Sequence, residues 1–155
     1  QWQIVMLNSA IEGKVHGWIK SEQLEYLDQW LSLNQDKYVL LAFHHHPFPV
    51  HSKWVDFHIL KNTSELTKVI EKYKNIKAAV FGHIHQESVT KWNNIDFYST
   101  PSTFVQFKPL NEDFAFDEIE PGYRCLHLKP NGQFETEVKR VKGYMPKINK
   151  EISGF

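Results

Sequence analysis

Cysteine is nearly missing from this 155-residue chain: Cys125 stands alone and cannot form an internal disulfide. That excludes the disulfide-stapled secreted mini-proteins and the zinc fingers, and makes a reducing, cytoplasmic setting the expectation. An excess of one charge is missing too, since 18 basic residues balance 18 acidic ones. The counterion release that holds proteins on nucleic acid therefore has no footing, and no nucleic-acid partner is expected. Long apolar runs are absent. The strongest, Tyr38 to Phe43, falls far short of the roughly 20 residues that cross a bilayer, so no membrane partner is expected. Nothing resembles a signal peptide. Without a Gly-x-Ser-x-Gly elbow, a P-loop or a dinucleotide fingerprint, serine hydrolysis and the common nucleotide folds lose their support.

What is present is bulk and histidine. Eleven Phe, six Tyr and five Trp within 41% hydrophobic residues supply the core of one ordinary globular domain, or a large piece of one. The chain opens on Gln1 and enters strand-like residues at once, as an excised piece of a longer protein would. Nine histidines are unevenly spread, with three adjacent at 44 to 46 and two more at 83 and 85. Clustered imidazole invites a metal hypothesis.

The hydrophobic pattern places these histidines. Ile4 to Leu7 form a run of buried-strand length. Ser21 is expected to cap a helix whose Leu24, Leu27 and Leu31 share one face. Tyr38 to Phe43 read as a strand covered on both sides, ending on His44, His45, His46 and Pro47. A long loop to Leu60 follows, then a helix capped by Asn62, with Glu65 completing a capping box and Leu66, Val69, Ile70 and Tyr73 on one face. Ile76 to Phe81 form a third buried strand that ends on Gly82, His83, Ile84, His85 and Gln86. Two parallel strands thus deliver imidazoles to one edge, where sites form in open α/β sheets. From residue 88 hairpins take over: 88–92 and 95–100 around Asn93-Asn94, then a strand at 103–107, an acidic loop at 108–122, and strands at 123–129 and 133–141 around Pro130-Asn131-Gly132. Residues 1–141 read as part of one domain and 142–155 as a loose tail.

An isolated histidine on an apolar strand is more often a satisfied core residue than a ligand. Here two groups meet. In the Gly82 to His85 turn, imidazoles two apart emerge on the same side of an extended segment, and the glycine lets the backbone approach closely. His45 ends a neighbouring strand, so its ring can reach the same volume.

The run Tyr38 to Pro47, followed by Gly82-His83-Ile84-His85-Gln86, resembles the last two motifs of calcineurin-like metallophosphoesterases. More narrowly it is similar to bacterial 3',5'-cyclic AMP phosphodiesterases of the Icc type. Trp2 to Ser9, Val15 to Gly17, Trp54 to Asn62, Ser99 to Thr103, Val105 to Pro109 and Pro121 to Arg124 share the likeness. The resemblance implies an α/β chain, the C-terminal half of a layered α/β/β/α metallophosphoesterase: two helices on parallel strands, then a mostly antiparallel sheet. It implies hydrolysis of a phosphodiester, 3',5'-cyclic AMP to 5'-AMP, by metal-bound hydroxide. It further implies two divalent or mixed-valence transition metals, from among Fe, Mn, Zn and Co, with His45 and His83 ligating one and His85 the other.

Three neutral imidazoles bring no negative charge, whereas a two-metal phosphoesterase needs a bridging carboxylate. The family's Asp-x-His, Gly-Asp-x-x-Asp and Gly-Asn-His motifs supply it upstream, and neither Gly-Asp nor Gly-Asn-His occurs here. The 155 residues alone are therefore expected to be inactive, and no catalytic acid or base is assigned. Asp56-Phe57-His58 spells Asp-x-His but follows no buried strand and is set aside as a metal site. By the resemblance it lies near the substrate entrance, which makes Asp56, His58 and Asn62 substrate-side candidates. Glu112, Asp113, Asp117, Glu118 and Glu120 read as a solvated loop. Two alternatives stay open. One is a non-catalytic module binding a single adventitious zinc or nickel and self-associating through its cut edge. The other is an enzyme for a different phosphodiester or a phosphomonoester.

Overall fold

Strand β1 (Trp2–Met6), β2 (Tyr38–Phe43), β3 (Ile76–Phe81), β4 (Val89–Trp92) and β5 (Ile95–Ser99) make one mixed sheet in the order β1-β2-β3-β5-β4. Only β4 runs antiparallel to its neighbour. This computed structural model describes residues 1–148. Helix α1 (Ser21–Leu33), the short α2 (Lys53–Asp56) and α3 (Thr63–Ile70) complete the first part of the chain. Leu24, Leu27 and Leu31 of α1 and Leu66 and Ile70 of α3 are buried with Val39, Leu41, Phe43, Ala79, Phe81 and Phe97 of the sheet in one core. Alternation along β3 is broken by a register shift that opposes Val39 to Ile76 but Leu40 to Ala78. The extra residue lets Ile76 and Ala79, three apart, both face the core.

The opposite face is covered by a hairpin of β8 (Gly122–Leu128) and β9 (Phe134–Arg140). The Trp2 indole packs on Tyr38 and Phe134 and donates to the Lys129 carbonyl at 2.7 Å. Arg124 donates to the Ser99 carbonyl at 2.8 Å and lies over the Tyr98 ring. A small ribbon of β6 (Gln106–Phe107) and β7 (Phe116–Asp117) closes the end of the molecule near the histidines. The layers are helix, sheet and hairpin, as an α/β reading requires. Among the described residues no helix is long and apolar enough to cross a membrane.

Several local expectations change. Within this chain β1 is the end strand of the sheet, with Ile4 59% and Met6 82% exposed where a buried strand is expected. The 88–100 hairpin joins the parallel sheet through β5, so no separate antiparallel sheet begins there. Residues 103–107 contribute only the two-residue β6, whose partner β7 arises inside the acidic loop. Ser21 is the first helical residue and makes no cap hydrogen bond; Lys20 precedes it. Residues 142–148 have no regular structure although Pro146 is buried, and 149–155 of the expected tail lie outside the described residues.

Asn62 does precede α3, but its side chain caps nothing. Its Oδ1 accepts the Ile19 N–H at 3.0 Å, and its Nδ2 donates to the Ile19 carbonyl at 2.8 Å and to Glu65 at 3.1 Å. A tertiary pairing with the backbone ahead of α1 has outcompeted the local cap. With the residue 2% exposed and its amide spent in this way, Asn62 is withdrawn as a substrate-side candidate. Asn62→Ala is expected to cost about 1–3 kcal/mol, because it strands the buried N–H and C=O of Ile19. An unchanged midpoint in denaturant unfolding would contradict this.

Candidate metal centre

Parallel pairing of β2 and β3 sets Phe43 opposite Phe81, so both chains leave the sheet at the same edge. The Gly82 N–H donates to the His44 carbonyl at 3.1 Å, which extends the pairing into the loops. Beyond it the chain does not stay extended. His83 and His85 both take positive φ, 63° and 52°, and the Ile84 N–H closes a tight turn onto the Gly82 carbonyl at 2.7 Å. Ile84 is fully buried and anchors that turn. The two-apart, same-side geometry of a strand is thereby corrected: the two rings are aimed by a kinked turn. Left-handed backbone at non-glycine residues costs on the order of 1–3 kcal/mol each and gathers at ligand sites.

His83 stands at the centre of the histidines. Its ring centroid is 4.6 Å from that of His45, 5.0 Å from His44, 5.7 Å from His58 and 5.8 Å from His46. Its Nδ1 meets His44 Nε2 at 3.2 Å. His85 turns aside and stacks on Phe107 at 4.2 Å, its Nδ1 buried without a hydrogen-bond partner. His83 and His85 line one 260 Å³ cavity with Trp54, Val55, His58 and Phe107. Of the residues singled out from sequence, His45 and His83 meet directly, His85 and His58 share the cavity with His83, and Asp56 is engaged elsewhere. The Asp56 Oδ1 accepts the Val50 N–H at 2.8 Å and faces the fully buried His46 Nε2 at 3.3 Å. This pair fastens the 47–60 loop to the end of β2. Sequence reasoning missed Trp54 and Phe107 as cavity walls and Ser9 as a contact of His45. Their signals were aromatic residues and a serine in loops, which carry no mark of what they touch.

Desolvation keeps these rings neutral. Burial, and then repulsion by the neighbouring imidazoles, pushes His83 down to about 2. Burial, with His44 next and the Val15 backbone opposing, takes His45 to about 4. Burial likewise lowers His85 and His58. Neutral imidazoles with lone pairs, one of them at an unpartnered buried nitrogen, are the donor chemistry that transition metals accept. The donor set fits such an ion, but it is incomplete. Among the described residues no group of three His, Cys, Asp or Glu is disposed to hold one.

The same shifts fix a pH dependence for the metal-free protein. The folded values lie below the ordinary histidine value near 6.5, so the unfolded chain binds protons first as pH falls. The stability these rings allow is complete above about pH 6.5 and is lost progressively toward pH 4, the region of the His45 value. Denaturant midpoints measured across that range should fall with pH, and His83→Leu should flatten the slope. A midpoint independent of pH would contradict the assignment.

No family model matches the chain. A protein named 3',5'-cyclic adenosine monophosphate phosphodiesterase CpdA from Haemophilus influenzae is 39% identical over 152 residues, which cover 97% of this chain and 56% of that protein. Its namesake from Escherichia coli is 43% identical over 141 residues, covering 91% of this chain and 51% of its own length. The chain thus spans about half the length of the curated relatives it matches. Among solved structures, one titled "GAP50 the anchor in the inner membrane complex of Plasmodium" shares the fold, with a TM-score of 0.56 at 12% identity over 96% of this chain and 48% of that one. Over most of its own length, this chain is similar to bacterial proteins named as 3',5'-cyclic adenosine monophosphate phosphodiesterases.

Proposed function

We propose that the full-length protein is a binuclear metallophosphoesterase that hydrolyses 3',5'-cyclic AMP to 5'-AMP in the cytoplasm. The observation that carries this reading is the meeting of the His45 and His83 rings, 4.6 Å apart, where two parallel strands end, in a chain whose curated relatives are named as cyclic AMP phosphodiesterases. His45 and His83 hold one metal and His85 the second. Two transition metals, when bound, supply positive charge to the phosphate and activate water for attack; iron, manganese, zinc and cobalt all suit imidazole.

The residues of this chain do the rest of the work by placement. Burial keeps each ring neutral, so its lone pair is available at neutral pH. Phe107 braces the plane of the His85 ring. Asp56 and the buried His46 tie down the loop that brings Trp54 and His58 to the cavity. There His58 and Trp54 stand beside the metal ligands and contact the part of the substrate that does not react. The carboxylates that the reaction needs come from the part of the relatives' length that this chain does not span.

Full-length protein is expected to bind two transition-metal ions and to turn over cyclic AMP. His83→Ala should lower kcat/KM by more than the about 10- to 100-fold that loss of an outer partner costs. The 155-residue chain alone should be inactive. Turnover by that chain, abolished by His83→Ala, would overturn the need for outside ligands. In a competition of cyclic AMP against cyclic GMP and glycerophosphodiesters, preference for another diester would move the substrate and leave the ligands in place. One ion bound without any turnover would favour the non-catalytic module.

A further inference from the structure

We infer that Ser9 and Gly17 are positioning residues for His45, fixing its ring so that Nδ1 is engaged by protein and Nε2 is the nitrogen presented to the metal; this rests on the reading of His45 as a ligand. Ser9 is 1% exposed. Its Oγ lies 2.8 Å from His45 Nδ1 and accepts the backbone N–H groups of His44 at 3.3 Å and of His45 at 3.2 Å. One hydroxyl therefore holds both the end of β2 and the ring that follows it.

Gly17 forms the other side of the holder. A Cβ on Gly17 would stand 2.5 Å from both Cβ and Cγ of His45 and 2.9 Å from Nδ1. Only glycine lets the backbone lie flat against the ring. This segment cannot draw back, because the Gly17 N–H donates to the Ile59 carbonyl at 3.2 Å, the Gly17 carbonyl accepts the Lys61 N–H at 2.9 Å, and the Trp18 N–H donates to the Ser9 carbonyl at 3.0 Å.

The nitrogen of a histidine that takes a metal is set by the bond its other nitrogen makes. With Nδ1 held at Ser9 and the Val15 backbone also against the ring, Nε2 is the nitrogen assigned to the metal. A hydroxyl suits the task because, while it accepts the two backbone N–H groups, it can donate to a bare Nδ1, and once Nε2 is ligated it can give up the longer contact to His44 to accept from a protonated Nδ1. Unlike a carboxylate, it does this without adding charge.

Zinc titration of the metal-stripped full-length protein by calorimetry tests the inference. Ser9→Ala should weaken zinc binding by about 10- to 100-fold, Gly17→Ala should weaken it as well, and Ser9→Thr, which keeps the hydroxyl, should recover most of the loss. Wild-type zinc affinity in Ser9→Ala, with affinity lost in His45→Ala, would overturn the positioning role and leave His45 a ligand. Wild-type affinity in His45→Ala would overturn the ligand reading and the inference with it. Long-range 15N–1H spectra of the zinc-loaded wild type need no variant: a proton on His45 Nδ1 is expected, and a proton on Nε2 would overturn the inference.

Discussion

Imidazoles packed ring against ring at the end of a buried strand pair can coexist only while they are uncharged. His83 lies beside four other histidine rings, and a proton on it is disfavoured first by burial and then by any neighbouring ring that is also protonated. Everything else at this edge of the molecule serves or tolerates that condition. With their pKa values lowered, the rings are neutral near pH 7 and keep their lone pairs free, the form in which imidazole ligates transition metals.

The scaffold imposes this crowding through backbone pairing. Because β2 and β3 are parallel neighbours, their C-terminal ends are fixed side by side whatever side chains follow. The loops then divide the labour. His44 to His46 continue β2 and are held from behind by Ser9 and by Asp56. His83 and His85 sit on either side of the buried Ile84, and both take left-handed backbone. Rigidity on one strand end and strain on the other give the pair its geometry.

The missing negative charge has the same logic. The Asp56 carboxylate, which reaches the His46 ring, is committed to Val50 and His46 and so braces a loop. The clustered donors are neutral nitrogens, in a chain that spans about half of its relatives' length.

Sequence by itself determined the elements that hydrophobic periodicity governs: the amphipathic α1 with Leu24, Leu27 and Leu31 inward, the covered strands β2 and β3, the Asn93-Asn94 turn, and the delivery of histidines to one sheet edge. Burial of alternate or every-third-or-fourth residues leaves a mark that is local in the chain, so it can be read without coordinates. Only the tertiary structure decided that Asn62 spends its amide on Ile19, that His85 turns to Phe107 while His83 faces His45, and that Ser9 and Gly17 enclose the His45 ring. Each of these is a contact between residues far apart in sequence, won in competition with a local alternative. A cap, a strand or a loop looks the same in sequence until its distant partner is in place.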